Sequence, residues 1–418
     1  LKALIISGYY YPETVGAGVW VRQLATGLAH AGHTVTLLTS FPSYPAGVVF
    51  PKYRGKLYRR EIIDGLAVVR TATYATPSKA FWPRIAAFGS FCASAILGAA
   101  CARLRADVVY AILPPLPLGL SAAVIARFAG APLVVNIQDI YPDIAVDLGY
   151  LRNPRAIAFF RRIEKWIYSK SARIVVISDG FRRNLLEKGV PESHISVVSN
   201  WADPGAICPG TQNNSFRREL GVRDEFLVLY SGGLTHNSDL SPILKAAREL
   251  IDEPFRFAIV GDGVQKESLQ RTAADLALSN VQFLPFQPIE RYPEVLAAAD
   301  ATLVALHSKA TFASVPSKIY KQMAAGRAVV AITNGPNELT RLIQEAACGY
   351  CVQPDDDAAL LEILRGCIEH RDHVAELGAN GRAYLERECN LDLCVQKIER
   401  ILLHASGQSG ALSSQAVA

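Results

Sequence analysis

Five short segments place glycine, lysine or a carboxylate at the end of an apolar run, where backbone or side chain meets a ligand readily. Tyr230-Ser-Gly-Gly-Leu234, with His236 two residues on, offers a backbone cradle for phosphate at Gly232, Gly233 and Leu234. Val260-Gly-Asp-Gly263 repeats the placement with Gly261, Asp262 and Gly263, although Asp-Gly is equally ordinary turn chemistry. Gly8–Gly18 (GYYYPETVGAG) joins a strand to a helix and carries Gly16 and Gly18 at its end; an anion loop and a tight turn both fit it. It lacks a full GxGxxG, and no acidic residue follows on the next strand for a ribose. Val315-Pro-Ser-Lys-Ile-Tyr-Lys321 opens a helix with Ser317 as N-cap and Lys318 in the first turn. The helix dipole disfavours a cation there, and a phosphate ligand would explain it. Finally, Asn136-Ile-Gln-Asp139 ends in a carboxylate, with Asp143 and Asp147 spaced to share one helical face. Asp139 suits a base or substrate ligand, or simply a helix cap.

These segments need strands that end at one edge. Lys2–Ser7, a helical pattern over Val19–Ala31 and Thr34–Thr39 form a βαβ unit. Further strands are predicted at Leu66–Arg70, Val108–Ile112, Leu133–Ile137, Ile174–Ile177 and Ser196–Val198. A Pro/Gly/Asn-rich linker, Asp203–Asn214, interrupts the rhythm. It resumes with Phe226–Tyr230, Phe255–Val260, Val281–Leu284, Ala301–Ala305, Ala328–Ile332 and Gly349–Val352. The expectation is α/β: two doubly wound domains, 1–200 and 201–390, facing across a cleft at the strands' carboxyl ends. A helix over 391–404 is expected to pack back toward the first domain, and the small polar tail 405–418 to be disordered.

The chain has 418 residues, half of them hydrophobic, which excludes a disordered protein. Its net charge of +5 hides a division: residues 1–200 sum to +12 and residues 201–418 to −7. An anionic partner for the first half only is the implication. Eight scattered cysteines include Cys348-Gly-Tyr-Cys351, with no second pair or histidine cluster to complete a metal site; buried free thiols are expected. Tyr9, Pro12 and Glu13 break the apolar start too early for a secretory leader. Residues 85–102 contain no charge, which admits a packed helix, a helix lying in a membrane surface or, barely, a spanning one. Phe81 and Trp82, with Arg59, Arg60, Lys79 and Arg84, would suit an interfacial anchor.

Taken together, YYYPETVGAG, GHTVTLLTSFPSYPAG, NIQDIYPD, VVISDGF, VVSNWAD, LYSGGL, FAIVGDG, FLPFQP, VPSKIY and Glu338-Leu339 resemble family 4 of the GT-B glycosyltransferases. The resemblance runs from Lys2 to about His404, in the bacterial exopolysaccharide and O-antigen branch (the colanic-acid and fucosamine transferase type). It implies two Rossmann-like domains and retaining sugar transfer from a nucleotide sugar, a UDP- or GDP-sugar, with no cofactor or metal required. Gly232, Gly233 and Leu234 would approach the diphosphate, Phe286 and Gln287 the base, and Ser317 and Lys318 the diphosphate and sugar. Glu338 and Leu339 would lie near the donor, Gly16 would face it from the first domain, and Asp139 would stand near the reacting centre. Many relatives carry two glutamates eight residues apart where this chain has Ala313 and Lys321, and an Arg and a Lys where it has Gly233 and Ser238. Lys318, Lys321 and His236 would then supply the phosphate charge.

The acceptor implied is a polyprenyl-diphosphate-linked or free saccharide, met by a cytoplasmic protein peripheral on the inner face of the plasma membrane. Trp82, Arg84, Arg59 and Arg60 would make the membrane or acceptor contact, and nucleic acid is not an expected partner. The rival readings are a nucleotide-sugar epimerase of the same fold and a catalytically silent, membrane-associated subunit of a polysaccharide assembly complex.

Overall fold

A computed structural model of the chain describes residues 1–13, 17–44, 46–78, 81–235, 238–306 and 316–408, with the backbone alone at Phe81, Trp82, Arg84 and Ile85. Gly16, His236 and Ala313, the side chains of Trp82 and Arg84, and most of the expected tail lie outside the described residues. The chain divides into two compact units, Leu1–Ser199 together with the segment from Asp392, and Asn200–Leu391.

The first unit holds β1 (Lys2–Ser7), β2 (Thr34–Ser40), β3 (Tyr58–Ile63), β4 (Leu66–Thr71), β5 (Val108–Leu113), β6 (Leu133–Ile137), β7 (Arg173–Val176) and β8 (Ile195–Val197). They form one sheet in the order β3-β4-β2-β1-β5-β6-β7-β8. The central strands are continuous apolar runs because helices cover both faces; all six residues of β5 are buried. The chain winds outward from β1 in both directions, so β1 and β5 flank the topological switch point. Strand β3 was not expected. It is an antiparallel edge hairpin with β4, turned by Asp64-Gly65, both at positive φ. An edge strand tolerates the charges of YRREII, which mask it as a strand.

Helix Phe81–Ala102 lies on this sheet. Ser94 Oγ donates to the Ala72 carbonyl, and a Cβ on Gly98 would stand 2.2 Å from Thr71 Cγ2. Among the described residues no helix is long and apolar enough to cross a membrane, so the spanning alternative falls. Helix Leu391–Ala405 belongs to the same unit: His33 Nε2 and Glu399 Oε1 are 2.7 Å apart, and Gly27 leaves room for Val395.

The second unit is a parallel sheet of β9 (Phe226–Ser231), β10 (Phe255–Val260), β11 (Val281–Leu284), β12 (Ala301–Ala305), β13 (Ala328–Ile332) and β14 (Gly349–Val352). Its order is β11-β10-β9-β12-β13-β14, placing the switch point between β9 and β12. Alternate residues of β9 feed two cores: Leu227 and Leu229 on one face, Phe226, Val228 and Tyr230 on the other. Of the cysteines, Cys101 and Cys208 are exposed, contrary to expectation: Cys101 lies in the last turn of helix Phe81–Ala102, and Cys208 in the irregular segment between β8 and the helix that starts at Ser215.

Candidate active site

In the second unit, the loops after β9 and β10 interlock through their backbones. Gly232 N–H donates to Val260 O at 3.0 Å and Leu234 N–H to Asp262 O at 2.9 Å. Gly261 N–H reaches Leu284 O at 2.9 Å, tying in the end of β11. The glycines are required by closeness: a Cβ on Gly261 would fall 1.9 Å from Gly232 O, and one on Gly263 2.2 Å from Leu234 O. Two of the three amides expected at a diphosphate are therefore already donated. Gly233 N–H is the one in this loop with no acceptor among the described residues.

Lys318 begins helix Lys318–Ala324 and lies above this loop. Its Nζ is closed off from solvent, has no hydrogen-bond partner among the described residues, and sits 3.9 Å from the centroid of the Tyr230 ring. A Cβ on Gly232 would come within 2.7 Å of that nitrogen. Tyr230 Oη in turn donates to Gly233 O at 2.8 Å, so one tyrosine fixes both the cation and the loop. Lys321 stands one turn along, its Nζ 5.3 Å from the centroid of Tyr292. Burial pushes the Lys321 ammonium below its ordinary pKa and the Tyr292 phenol above its own. Among the described residues neither ammonium has a carboxylate to neutralise it.

Ser317 occupies the N-cap position without capping: its backbone is already helical (φ −64°, ψ −15°), and its side chain makes no cap hydrogen bond. The cap motif appears instead at helix Glu338–Ala346, where Asn337 Oδ1 accepts from Leu339 N and Thr340 N. The Leu339 amide is thus already donated, and the Glu338 carboxylate lies 3.0 Å from Arg341 Nη2. Phe286 is exposed beyond the end of β11, and Gln287 beside it donates to Pro285 O at 3.1 Å. Asp262 is exposed and accepts from Gly263 N at 2.7 Å. Gly232, Gly233, Leu234, Gly261, Asp262, Gly263, Phe286 and Gln287 all follow the carboxyl ends of β9, β10 and β11.

In the first unit Asp139 lies half-buried in the bend after β6. It does not share a helical face with Asp143 and Asp147, because the helix starts only at Asp143, after Pro142 excludes the preceding residue from helical backbone. Asp143 faces inward, 2.7 Å from Lys188 Nζ and accepting from Asn184 Nδ2 at 3.2 Å. Burial, then the nearby Asp143 charge, raise the Asp147 pKa. Gly18 lets helix Ala17–His30 close on its own loop, since a Cβ there would sit 2.4 Å from Glu13 O.

Two residues of this unit carry no sequence signal. Glu13 is buried, and its Oε1 accepts from Ser43 N and Tyr44 N, each at 2.8 Å, pinning the chain there. Arg70 is fully buried and donates to the Glu61 carboxylate and the Ser40 and Tyr11 carbonyls, with Tyr53 against its guanidinium. Arg59 and Arg60, expected at a membrane, are turned to internal partners. Arg59 Nε is 3.4 Å from Glu61, and Arg60 donates to Tyr58 Oη and Ala102 O.

Residues 15–201 match the family model described as a glycosyl transferase 4-like domain, and residues 212–384 that described as glycosyl transferases group 1. The chain is 28% identical over 396 residues to a putative colanic acid biosynthesis glycosyl transferase, WcaI, of Escherichia coli, covering 93% of this chain and 96% of the relative. It is 25% identical over 295 residues to a probable glycosyltransferase, WbjE, of Pseudomonas aeruginosa, covering 70% and 73%. Among solved structures, Anabaena HepE in complex with UDP-glucose superposes with a TM-score of 0.69 at 18% identity, over 96% of this chain and 99% of that one. Two α/β units, one matched over residues 15–201 and the other over residues 212–384, together with these relatives, give one conclusion: the chain belongs to the GT-B glycosyltransferases of family 4, in their bacterial polysaccharide branch.

Proposed function

We propose that this glycosyltransferase moves a sugar from a UDP- or GDP-sugar, with retention at the anomeric carbon, to a lipid-linked or saccharide acceptor in cell-surface polysaccharide synthesis. The observation that carries the reading is Lys318: an ammonium closed off from solvent and held over the Tyr230 ring, for which, as for the Gly233 amide, the described residues supply no hydrogen-bond partner. The HepE structure was solved with UDP-glucose, which supports a nucleotide-sugar donor for the same fold. In this reading the second unit holds the donor and the first unit the acceptor, against the membrane's inner face.

The bond from the anomeric carbon to the diphosphate oxygen breaks, and its electron pair leaves on the diphosphate. Lys318 and the Gly233 amide meet that growing charge in a site with little water, where each counts for more. The acceptor hydroxyl bonds to the anomeric carbon from the side the diphosphate leaves, and its proton passes to the departing phosphate oxygen. Asp139 orients the acceptor or stabilises the positive centre. The test is incubation with a panel of nucleotide sugars and a polyprenyl-diphosphate sugar. Acceptor-dependent release of nucleoside diphosphate, with the donor's anomeric configuration kept in the product, is expected. Interconversion of the nucleotide sugar without acceptor, or no turnover, would overturn the reading.

A further inference from the structure

Helix Pro154–Lys170 (PRAIAFFRRIEKWIYSK) carries more exposed cation and aromatic surface than its packing needs. Its inner side is satisfied: Ile167 and Tyr168 are buried, Gly119 of the neighbouring helix admits Ile167, and Glu164 accepts from Tyr168 Oη at 2.9 Å and Lys188 Nζ at 2.6 Å. Glu164 is the helix's only acid, so the outer side has none. There Arg155, Phe159, Arg162, Trp166 and Lys170 recur at three- and four-residue spacing, all exposed. Phe159 is 57% exposed and Trp166 41%, and Lys170 Nζ lies 6.0 Å from the Trp166 ring. Of the five cations on the helix, only Arg161 has a carboxylate within reach among the described residues, Asp143 at 4.0 Å.

We infer that this face is the surface by which the first unit docks on an anionic lipid bilayer. Large aromatics beside long basic side chains suit the headgroup boundary, where rings enter the acyl edge and cations meet lipid phosphate. The +12 charge of residues 1–200 makes the approach favourable. Helix Phe81–Ala102 is a poorer candidate. The described part of its exposed side is Ala86, Gly89, Ala93, Leu97, Ala100 and Cys101, with one large apolar residue and no cation. The inference deepens the proposed use of a membrane-borne acceptor, yet its test requires no sugar transfer, so either can fail alone.

The full chain is sedimented with vesicles of phosphatidylcholine, with and without phosphatidylglycerol. Binding is expected only with phosphatidylglycerol and is expected to weaken as salt rises. Replacing Arg155, Arg162 and Lys170 together by Gln is expected to lower the partition on the order of a hundredfold, while Leu97→Gln leaves it unchanged. A brominated lipid is expected to quench the intact chain's tryptophan emission, a loss that Trp166→Phe removes while binding persists; this arm does not depend on the triple variant folding. Vesicle binding that ignores phosphatidylglycerol, or quenching unaltered by Trp166→Phe, overturns the inference. So does binding of a single-stranded oligonucleotide, lost in the triple variant, with no vesicle binding.

Discussion

Lys318 Nζ rests 3.9 Å from the centre of the Tyr230 ring, and the same tyrosine's hydroxyl donates to Gly233 O at 2.8 Å. Neither contact neutralises the ammonium. In the proposed site the ring holds it at low cost and leaves its donors for the diphosphate, while the hydroxyl keeps the glycine loop in register beneath it. Lys318→Ala is therefore expected to lower turnover of the nucleotide sugar about 100-fold, the scale of losing one charge-stabilising donor. Tyr230→Phe keeps the ring and drops only the bond to Gly233, so a loss of roughly tenfold or less is expected. Steady-state kinetics of both variants decide it; a Lys318→Ala enzyme with unchanged turnover removes that lysine from the site.

The interlocked loops make a separate, structural demand. Gly261→Ala would press a methyl group to 1.9 Å from Gly232 O, a backbone atom that cannot swing aside. The expected cost is about 1–3 kcal/mol of stability, from overpacking, together with loss of donor binding. Gly366→Ala, with nothing within 4 Å of the new carbon in a helix interior, is the control and is expected to be neutral or stabilising. Urea unfolding of the two variants measures the difference.

Much of this arrangement was legible in the sequence because parallel strands buried on both faces read as unbroken apolar runs, and their ends mark the site. Strand β3 was hidden by its own charges, although Asp64-Gly65 signalled its turn. Tyr230 and Tyr292 read as ordinary strand and helix aromatics; only the crossing from β9 to β12 brings them under Lys318 and Lys321. Arg70 ends an apolar run, as a surface residue would, and its partners Tyr11, Ser40 and Glu61 come from three separate segments. Spacing identifies residues on one element. It says little about cations and rings that meet across several.

If the proposed donor site includes Lys321, donor binding acquires a pH dependence of definite sign. Burial lowers its pKa from the ordinary 10.5, so the ligand-free protein gives up this proton at a lower pH than a free lysine does. A diphosphate favours the charged form and raises that pKa again, so binding takes up a proton. Donor affinity is expected to fall as pH rises through the depressed pKa toward 10.5. Calorimetry of nucleoside-diphosphate binding in buffers of different ionisation heat should show proton uptake in the intact chain and none in Lys321→Met. Equal uptake in both would place the titrating group elsewhere.

Arg70 and Glu61 make the last prediction, because a fully buried guanidinium is harder to remove than to replace as a pair. Arg70→Met leaves the Glu61 carboxylate and the Tyr11 and Ser40 carbonyls without their donor, an expected loss of about 3–5 kcal/mol. Replacing both residues, Arg70→Met with Glu61→Leu, is expected to recover most of it. The pH dependence follows the same pair. Burial pushes the Glu61 pKa up, but the Arg70 hydrogen bond and charge, with Tyr53 and Arg59, bring it below its ordinary value. A carboxyl with a depressed folded pKa contributes stability that is complete above the unfolded pKa and disappears as pH falls through the folded one. Acid unfolding of the intact chain should carry that contribution and the double variant should lack it. Since Arg70 also holds the Tyr11 carbonyl at the head of the loop leading to Gly18, the single variant is expected to lose transferase activity at temperatures where it is still folded.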